Sequence, residues 1–181
     1  MKLPRIRLKE GREKSLKKHH PWVFSGAIQS APEDLAMGAT VDILSAHGEW
    51  LGRGAFSPLS KIRVRVWTWN QDEAINEAFF MSKIKAAIDL RQKVFTEREG
   101  ISRRLVHGES DGLPGFIVDR YGNMLVMQVL SAGAEAWKET VIDCLAALTG
   151  LTNIYERSDV DVRKLEGLES RKGVLIGDEP K

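Results

Sequence analysis

Only one cysteine stands among the 181 residues. A lone thiol, Cys144, cannot close an internal disulfide, which excludes the bridge-stapled scaffolds of small secreted proteins and suits a reducing cytoplasm. Histidine is scarce as well: His19 and His20 are adjacent and His47 and His107 isolated. No ligand spacing recurs among them, so no metal site is expected. No apolar run is long enough to cross a bilayer, and the opening MKLPRIRLKE lacks the apolar stretch of a signal peptide. The expectation is a soluble cytoplasmic chain with no membrane partner. Closely spaced glycines occur at Gly52–Gly54 and Gly112–Gly115, neither of them between a long buried strand and a helix. That excludes a nucleotide-type cofactor loop within these residues. No nucleophile has a recognisable activating partner, so no catalytic residue is assigned.

Net charge is also small, +2, but it conceals a split. Residues 1–70 hold 12 Lys/Arg against 6 Asp/Glu, and residues 71–181 hold 15 against 19. Eight of the basic residues fall in positions 2–18, opposed only by Glu10 and Glu13. Such asymmetry suggests two domains, the first of which meets a polyanion. A solvated basic face without a partner explains the charge alone equally well.

What the sequence does have is pattern. RIRL, WVFSGAI, ATVDIL, WLGRGAF and IRVRVWTW are rich in β-branched and aromatic residues, punctuated by Gly, Pro, Asn and Asp. In KIRVRVWTW, Ile62, Val64 and Val66 fall on one face and Lys61, Arg63 and Arg65 on the other. Several short strands in so few residues predict a small barrel-like β domain over 1–70. After Asn70 the period becomes helical. Phe80, Ile84, Ala87, Ile88, Val94 and Phe95 predict a helix over about 72–99, ended by Gly100. RRLVHG, GFIVD and NMLVMQVL follow as strands, the last two a hairpin across Arg120–Tyr121–Gly122. A helix is predicted over Ala134–Leu148, with Trp137, Val141, Leu145 and Leu148 on one face and Gly150 as its stop. NIYERSD and KGVLIG read as further strands. Residues 71–181 are thus a second, α+β domain.

GESDGLPG, residues 108–115, is the one stretch that offers paired carboxylates, Glu109 and Asp111. Acid–base work also needs a pocket and a positioning group, and neither is legible nearby. Two acids beside a turn more often accept backbone N–H bonds or pair with an arginine, here Arg104 or Arg120. The N-terminal segment is richer. Arg12, Lys14, Lys17, Lys18, His19 and His20 run directly into Trp22 and Phe24. Cations hold phosphates, while exposed aromatic and imidazole planes stack on unpaired bases. Arg12, Lys14, Lys17, Lys18, His19, His20 and Trp22 are therefore the candidate RNA-binding residues. Trp22 and Phe24 can equally be core of the following strand. Arg53, Lys61, Arg63 and Arg65 either extend the cationic surface or form the wet face of an edge strand.

KEGREKSLKKHHPWVFSGAI, GEWLGRGAFSPLSKIRVRVWT, GESDGLPGFIVDRYGN, MQVLSAGAE, IYERSDVDVRKLEGLE and the terminal GDEP resemble, in order and spacing, the bacterial large-subunit rRNA cytosine-C5 methyltransferases (type I). The resemblance implies an N-terminal PUA domain, an RNA-binding pseudobarrel, then a central α+β domain. It also implies an S-adenosylmethionine (SAM) dependent catalytic domain, carrying the cofactor loop and nucleophilic cysteine, that would begin where this sequence stops. Nothing here matches those motifs, and Cys144 is misplaced for the nucleophile. The expectation is an inactive RNA-binding portion of such an enzyme, with rRNA as partner and no cofactor of its own. The rival readings are a free-standing RNA-binding module and a scaffold that homodimerises through its strand edges and the Trp137 helix.

Overall fold

The computed structural model describes residues 3–94 and 102–179. Strands β1 (Arg5–Leu8), β2 (Trp22–Phe24), β3 (Ile28–Ser30), β4 (Thr40–Leu44), β5 (Trp50–Phe56) and β6 (Ile62–Thr68) form one sheet, ordered β2–β6–β5–β4–β1–β3. Only β1 and β4 pair in parallel. WVFSGAI is thus not one strand. A single 3-10 turn, Ser25–Ala27, separates β2 from β3, yet the two lie on opposite edges of the sheet. So short a link can join both edges only if the sheet curls upon itself, and the bulges in four of its ladders bend it that way. Gly54 sits at one bulge, where a Cβ would strike the Arg65 carbonyl of β6. The inward faces of the strands bury Ile6, Leu8, Val23, Val41, Ile43, Val64 and Val66, with Leu16 of the short helix α1 (Lys14–Lys17) closing one end.

The second unit has five strands: β7 (Ser102–His107), β8 (Phe116–Tyr121), β9 (Met124–Val129), β10 (Asn153–Ser158) and β11 (Arg171–Ile176). Their order is β11–β10–β9–β8–β7. A long helix, α2 (Glu77–Val94), precedes them. The expected continuation of α2 to residue 99, with Phe95 on its apolar face and Gly100 as its stop, lies outside the described residues. Tyr121 still pairs with Met124, so the β8–β9 hairpin turns at Gly122–Asn123, one step later than expected, with Gly122 at φ 58°. β9 and β10 run parallel and need a crossover, which the expected helix over 134–148 supplies in two pieces, α3 (Ala132–Ala136) and α4 (Lys138–Thr149). Ser131 caps α3 by accepting the Ala134 N–H at 3.2 Å. Trp137 breaks the helix and places its ring 5.0 Å from that of Phe80, against the core rather than on an outer face. Gly150 ends α4 in the left-handed region, φ 68°.

One further helix, α5 (Val162–Leu165), went unpredicted. Four residues cannot form a stable helix by propensity. A buried arginine, Arg163, holds α5 by donating to the carbonyls of Val129 and Glu169 and to the Glu135 carboxylate. Across the junction, Trp67 of β6 is buried in the second core, edge-on to Phe80 at 5.4 Å and to Phe79 at 6.3 Å. Gly133 of α3 abuts the Cβ of Ala55 with no space for a side chain of its own, and Gly38 lies equally close to α3. The two units share one apolar seam.

Candidate nucleic-acid interface

Lys14 to His20 form the helical turn and exit that lead into β2. The turn closes with the His19 N–H on the Leu16 carbonyl and the His20 N–H on the Ser15 carbonyl, which puts His19 at φ 59°. Arg12, Lys14, Lys17, Lys18, His19 and His20 are all exposed. Their availability differs. Lys17 pairs with Glu49 at 2.8 Å, and that hydrogen bond holds its ammonium above the ordinary range. The ring of His19 already lies over Trp69, with centroids 4.9 Å apart. His20 accepts the Trp22 backbone N–H on Nδ1 at 3.3 Å. Arg12, Lys14 and Lys18 make no ion pair among the described residues.

Alternation on β2 decides which aromatic rings are available. Val23 points into the barrel, so Trp22 and Phe24 point away from it. His20, Trp22 and Phe24 form a row of edge-on contacts at 5.6 and 6.4 Å. Phe24 is 49% exposed, although the candidate set omitted it. Its i, i+2 relation to Trp22, with an apolar residue between, was the available signal. Arg12, Ser15, Trp22 and Phe24 share the lining of a concavity of about 250 Å³ between α1 and β2. Cations beside a recess walled by aromatic rings can hold phosphates and stack unpaired bases together.

Of the second set of cations, Lys61 stays exposed, whereas Arg53 and Arg65 are engaged within the protein. Arg53 pairs with Asp42 at 2.9 Å. Because β6 lies between β2 and β5 and the second unit covers its outer face, Arg65 is neither a free surface cation nor on the wet face of an edge strand. It is buried, donating to Glu166 at 2.8 Å. Glu166 also accepts from the Ser57 hydroxyl at 2.8 Å and the Ala132 N–H at 3.2 Å, so one carboxylate ties both units together.

GESDGLPG is part of the same junction. Glu109 accepts the Trp22 indole N–H at 2.7 Å, with Arg65 Nε 3.9 Å away. Asp111 accepts from Arg91 of α2 and from the His107 backbone N–H, both at 2.6 Å. The backbone N–H on Asp111 is a local bond of the expected kind, whereas the expected local arginines do other things: Arg104 forks onto Asp119 and Arg120 caps the Gly122 carbonyl. The loop is a joint, with each acid held by a residue distant in sequence. The space beside Gly115 is filled by Ser131, Gly112 lies against Lys83, and Gly54 is spent on the sheet bulge. Cys144 is buried on α4, and its thiol is pushed up by burial and then by the Glu77 and Asp143 charges, the reverse of an activated nucleophile. No group of three metal-binding side chains and no helix long and apolar enough to cross a membrane occurs among the described residues.

The curled six-stranded sheet with its basic turn defines a class. Residues 6–69 match the family model of a PUA-like domain, and the chain as a whole is α+β. Among relatives, it is 52% identical over 176 residues to ribosomal RNA large subunit methyltransferase I of Aliivibrio fischeri (strain ES114). It is 49% identical over 176 residues to the protein of that name in Erwinia tasmaniensis. Each match takes in 97% of this chain and 44% of the relative, so the chain spans less than half the length of these curated relatives. A candidate SAM-dependent methyltransferase from Streptococcus mutans superposes with a TM-score of 0.79 at 17% identity, over 98% of this chain and 44% of that one. A candidate methyltransferase complexed with SAH gives 0.73 at 16%, over 84% and 40%. At such identities the two structures establish likeness of fold.

Proposed function

We propose that this chain is the RNA-binding and central portion of a SAM-dependent 23S rRNA (cytosine-C5) methyltransferase. Residues 1–70 grip the RNA and residues 71–181 hold that grip in a set orientation. The observation that carries this reading is the exposed basic turn, Arg12 to His20, beside the outward row of Trp22 and Phe24. The relatives' names supply the substrate class. The relatives run well beyond the residues they share with this chain, which covers 44% of their length, and methyl transfer is assigned to that further part. The chain's own contribution is to fix phosphates with Arg12, Lys14 and Lys18, stack unpaired bases on Trp22 and Phe24, and so present the strand.

Fluorescence anisotropy against a large-subunit rRNA fragment across a salt series tests this. Three or four neutralised phosphates give a slope of log affinity on log salt of roughly −2 to −3 on single-stranded RNA. Arg12→Ala with Lys18→Ala should make that slope shallower by about 1.4. Lys17→Ala should do less, because Glu49 already competes for that ammonium. Phe24→Ala should cost about 1–3 kcal/mol with the slope unchanged. Salt-independent binding, or equal affinity after the double substitution, would overturn the reading.

A further inference from the structure

A carboxylate is an unfavourable neighbour for a surface that holds phosphates. Yet Glu109, from a loop of the second unit, accepts the indole N–H of Trp22 at 2.7 Å. Arg65 Nε, 3.9 Å from the same oxygen, offsets part of the charge. The two outward rings of β2 are held unequally. Trp22 donates its backbone N–H to His20 Nδ1 and its indole N–H to Glu109, and its ring meets His20 edge-on at 5.6 Å. Phe24 has no N–H to anchor and is 49% exposed, with the Trp22 ring 6.4 Å away. Turning the indole about its side-chain bonds carries its N–H off the carboxylate, so the hydrogen bond selects one setting of the ring. Trp22 walls both the concavity shared with Arg12 and a cleft of about 290 Å³ at the junction. The setting chosen at the junction is therefore the one presented on the Arg12 side.

We infer that Glu109 is a positioning residue for RNA: through it the second unit fixes the stacking ring that the first unit offers, so strand binding and the junction are energetically coupled. The inference rests on the RNA-binding reading above. A ring held in place before the strand arrives spares the entropy cost of fixing it afterwards, about three- to tenfold in affinity for one side chain. The coupling is reciprocal. A strand stacked on Trp22 favours the ring setting that Glu109 accepts, and so tightens the junction. The role needs an acceptor at position 109 and not a charge, which fixes the sign of the test.

The test is anisotropy of the 181-residue chain with a fluorescein-labelled single-stranded RNA of mixed sequence. Glu109→Ala removes a negative charge, which by Coulomb's law alone would tighten binding of a polyanion. It should instead weaken binding by about three- to tenfold, with little change in salt slope. Glu109→Gln keeps an oxygen for the indole N–H and should bind at least as tightly as the native chain. In a Trp22→Phe background, where no N–H remains to be held, Glu109→Ala should no longer weaken binding. The Trp22 indole resonance, identified in a proton–nitrogen correlation spectrum by its loss in Trp22→Phe, should move upfield in Glu109→Ala and less in Glu109→Gln. Circular dichroism confirms the fold of each variant. Weakening that Glu109→Gln shares, or that persists without the Trp22 N–H, means that Glu109 acts otherwise than through the ring and overturns the inference. An unmoved resonance in Glu109→Ala does the same. A moved resonance with unchanged or tighter binding overturns it too, and leaves the RNA-binding reading standing. Failure of the native chain to bind RNA overturns both.

Discussion

Glu166→Ala should be the most damaging single change at the junction. The carboxylate is 1% exposed and serves three donors: Arg65 Nη1, the Ser57 hydroxyl and the Ala132 N–H. Two of these come from the first unit and one from the second. Removing it leaves the Arg65 guanidinium buried without its close counter-charge, since Glu109 stands 3.9 Å from Nε. Breaking one side of a buried pair costs about 3–5 kcal/mol, well above the worth of a surface ion pair. At about 2–4 °C per kcal/mol for a chain of this size, Tm should fall by roughly 6–20 °C. The penalty comes mainly from the stranded charge, so it should shrink when the charge goes too. Arg65→Met combined with Glu166→Leu should cost less than the two single changes together, with a coupling energy of about 1–3 kcal/mol. Urea titrations followed by tryptophan fluorescence give all four corners of that cycle. Additive costs, within about 0.5 kcal/mol, would refute the claim that this pair clamps the units.

Gly133→Val should destabilise by about 1–3 kcal/mol through overpacking against Ala55 and Trp67, read as an earlier urea midpoint. Burial works to raise the Glu135 carboxyl, but the Arg163 hydrogen bond and the Lys138 charge outweigh it and the net shift is downward. A depressed folded value means this contribution is complete above the ordinary 4.5 and disappears as pH falls through the folded value. Tm measured from pH 7 to 3 should therefore drop more steeply for the native chain than for Glu135→Gln. Cys144 should react with a thiol reagent at pH 8 only as fast as the chain opens, and prompt labelling of the folded protein would contradict its burial. Calorimetry with SAM should give no saturable heat; a stoichiometric one would overturn the assignment of the cofactor site outside these residues.

Short-range pattern is sufficient where the cause is short-range. Alternation in IRVRVWTW places Val64 and Val66 in the barrel, because side chains on a strand must alternate whatever lies beyond them. Gly150 stops α4 because a left-handed residue suits glycine locally. The exposed basic turn was legible too, since no local apolar residue except Leu16 draws it inward. What lay opposite each residue was not legible. Arg65 alternates like a surface residue and becomes buried because a second unit covers β6. Glu166, 101 positions away, then supplies its charge partner. Trp137 fits a helical stripe, yet Phe80 draws its ring inward and the helix breaks there. Glu109 and Asp111 announce a turn, and Asp111 does accept a neighbouring backbone N–H, that of His107, but their side-chain partners Trp22 and Arg91 come from distant elements. The sequence by itself determined periodicity, turns and the distribution of charge, all of which arise from neighbours along the chain. Only the tertiary structure decided which charges are buried, which aromatic rings remain open and where a cleft forms, because those depend on solvent exclusion between segments far apart in sequence.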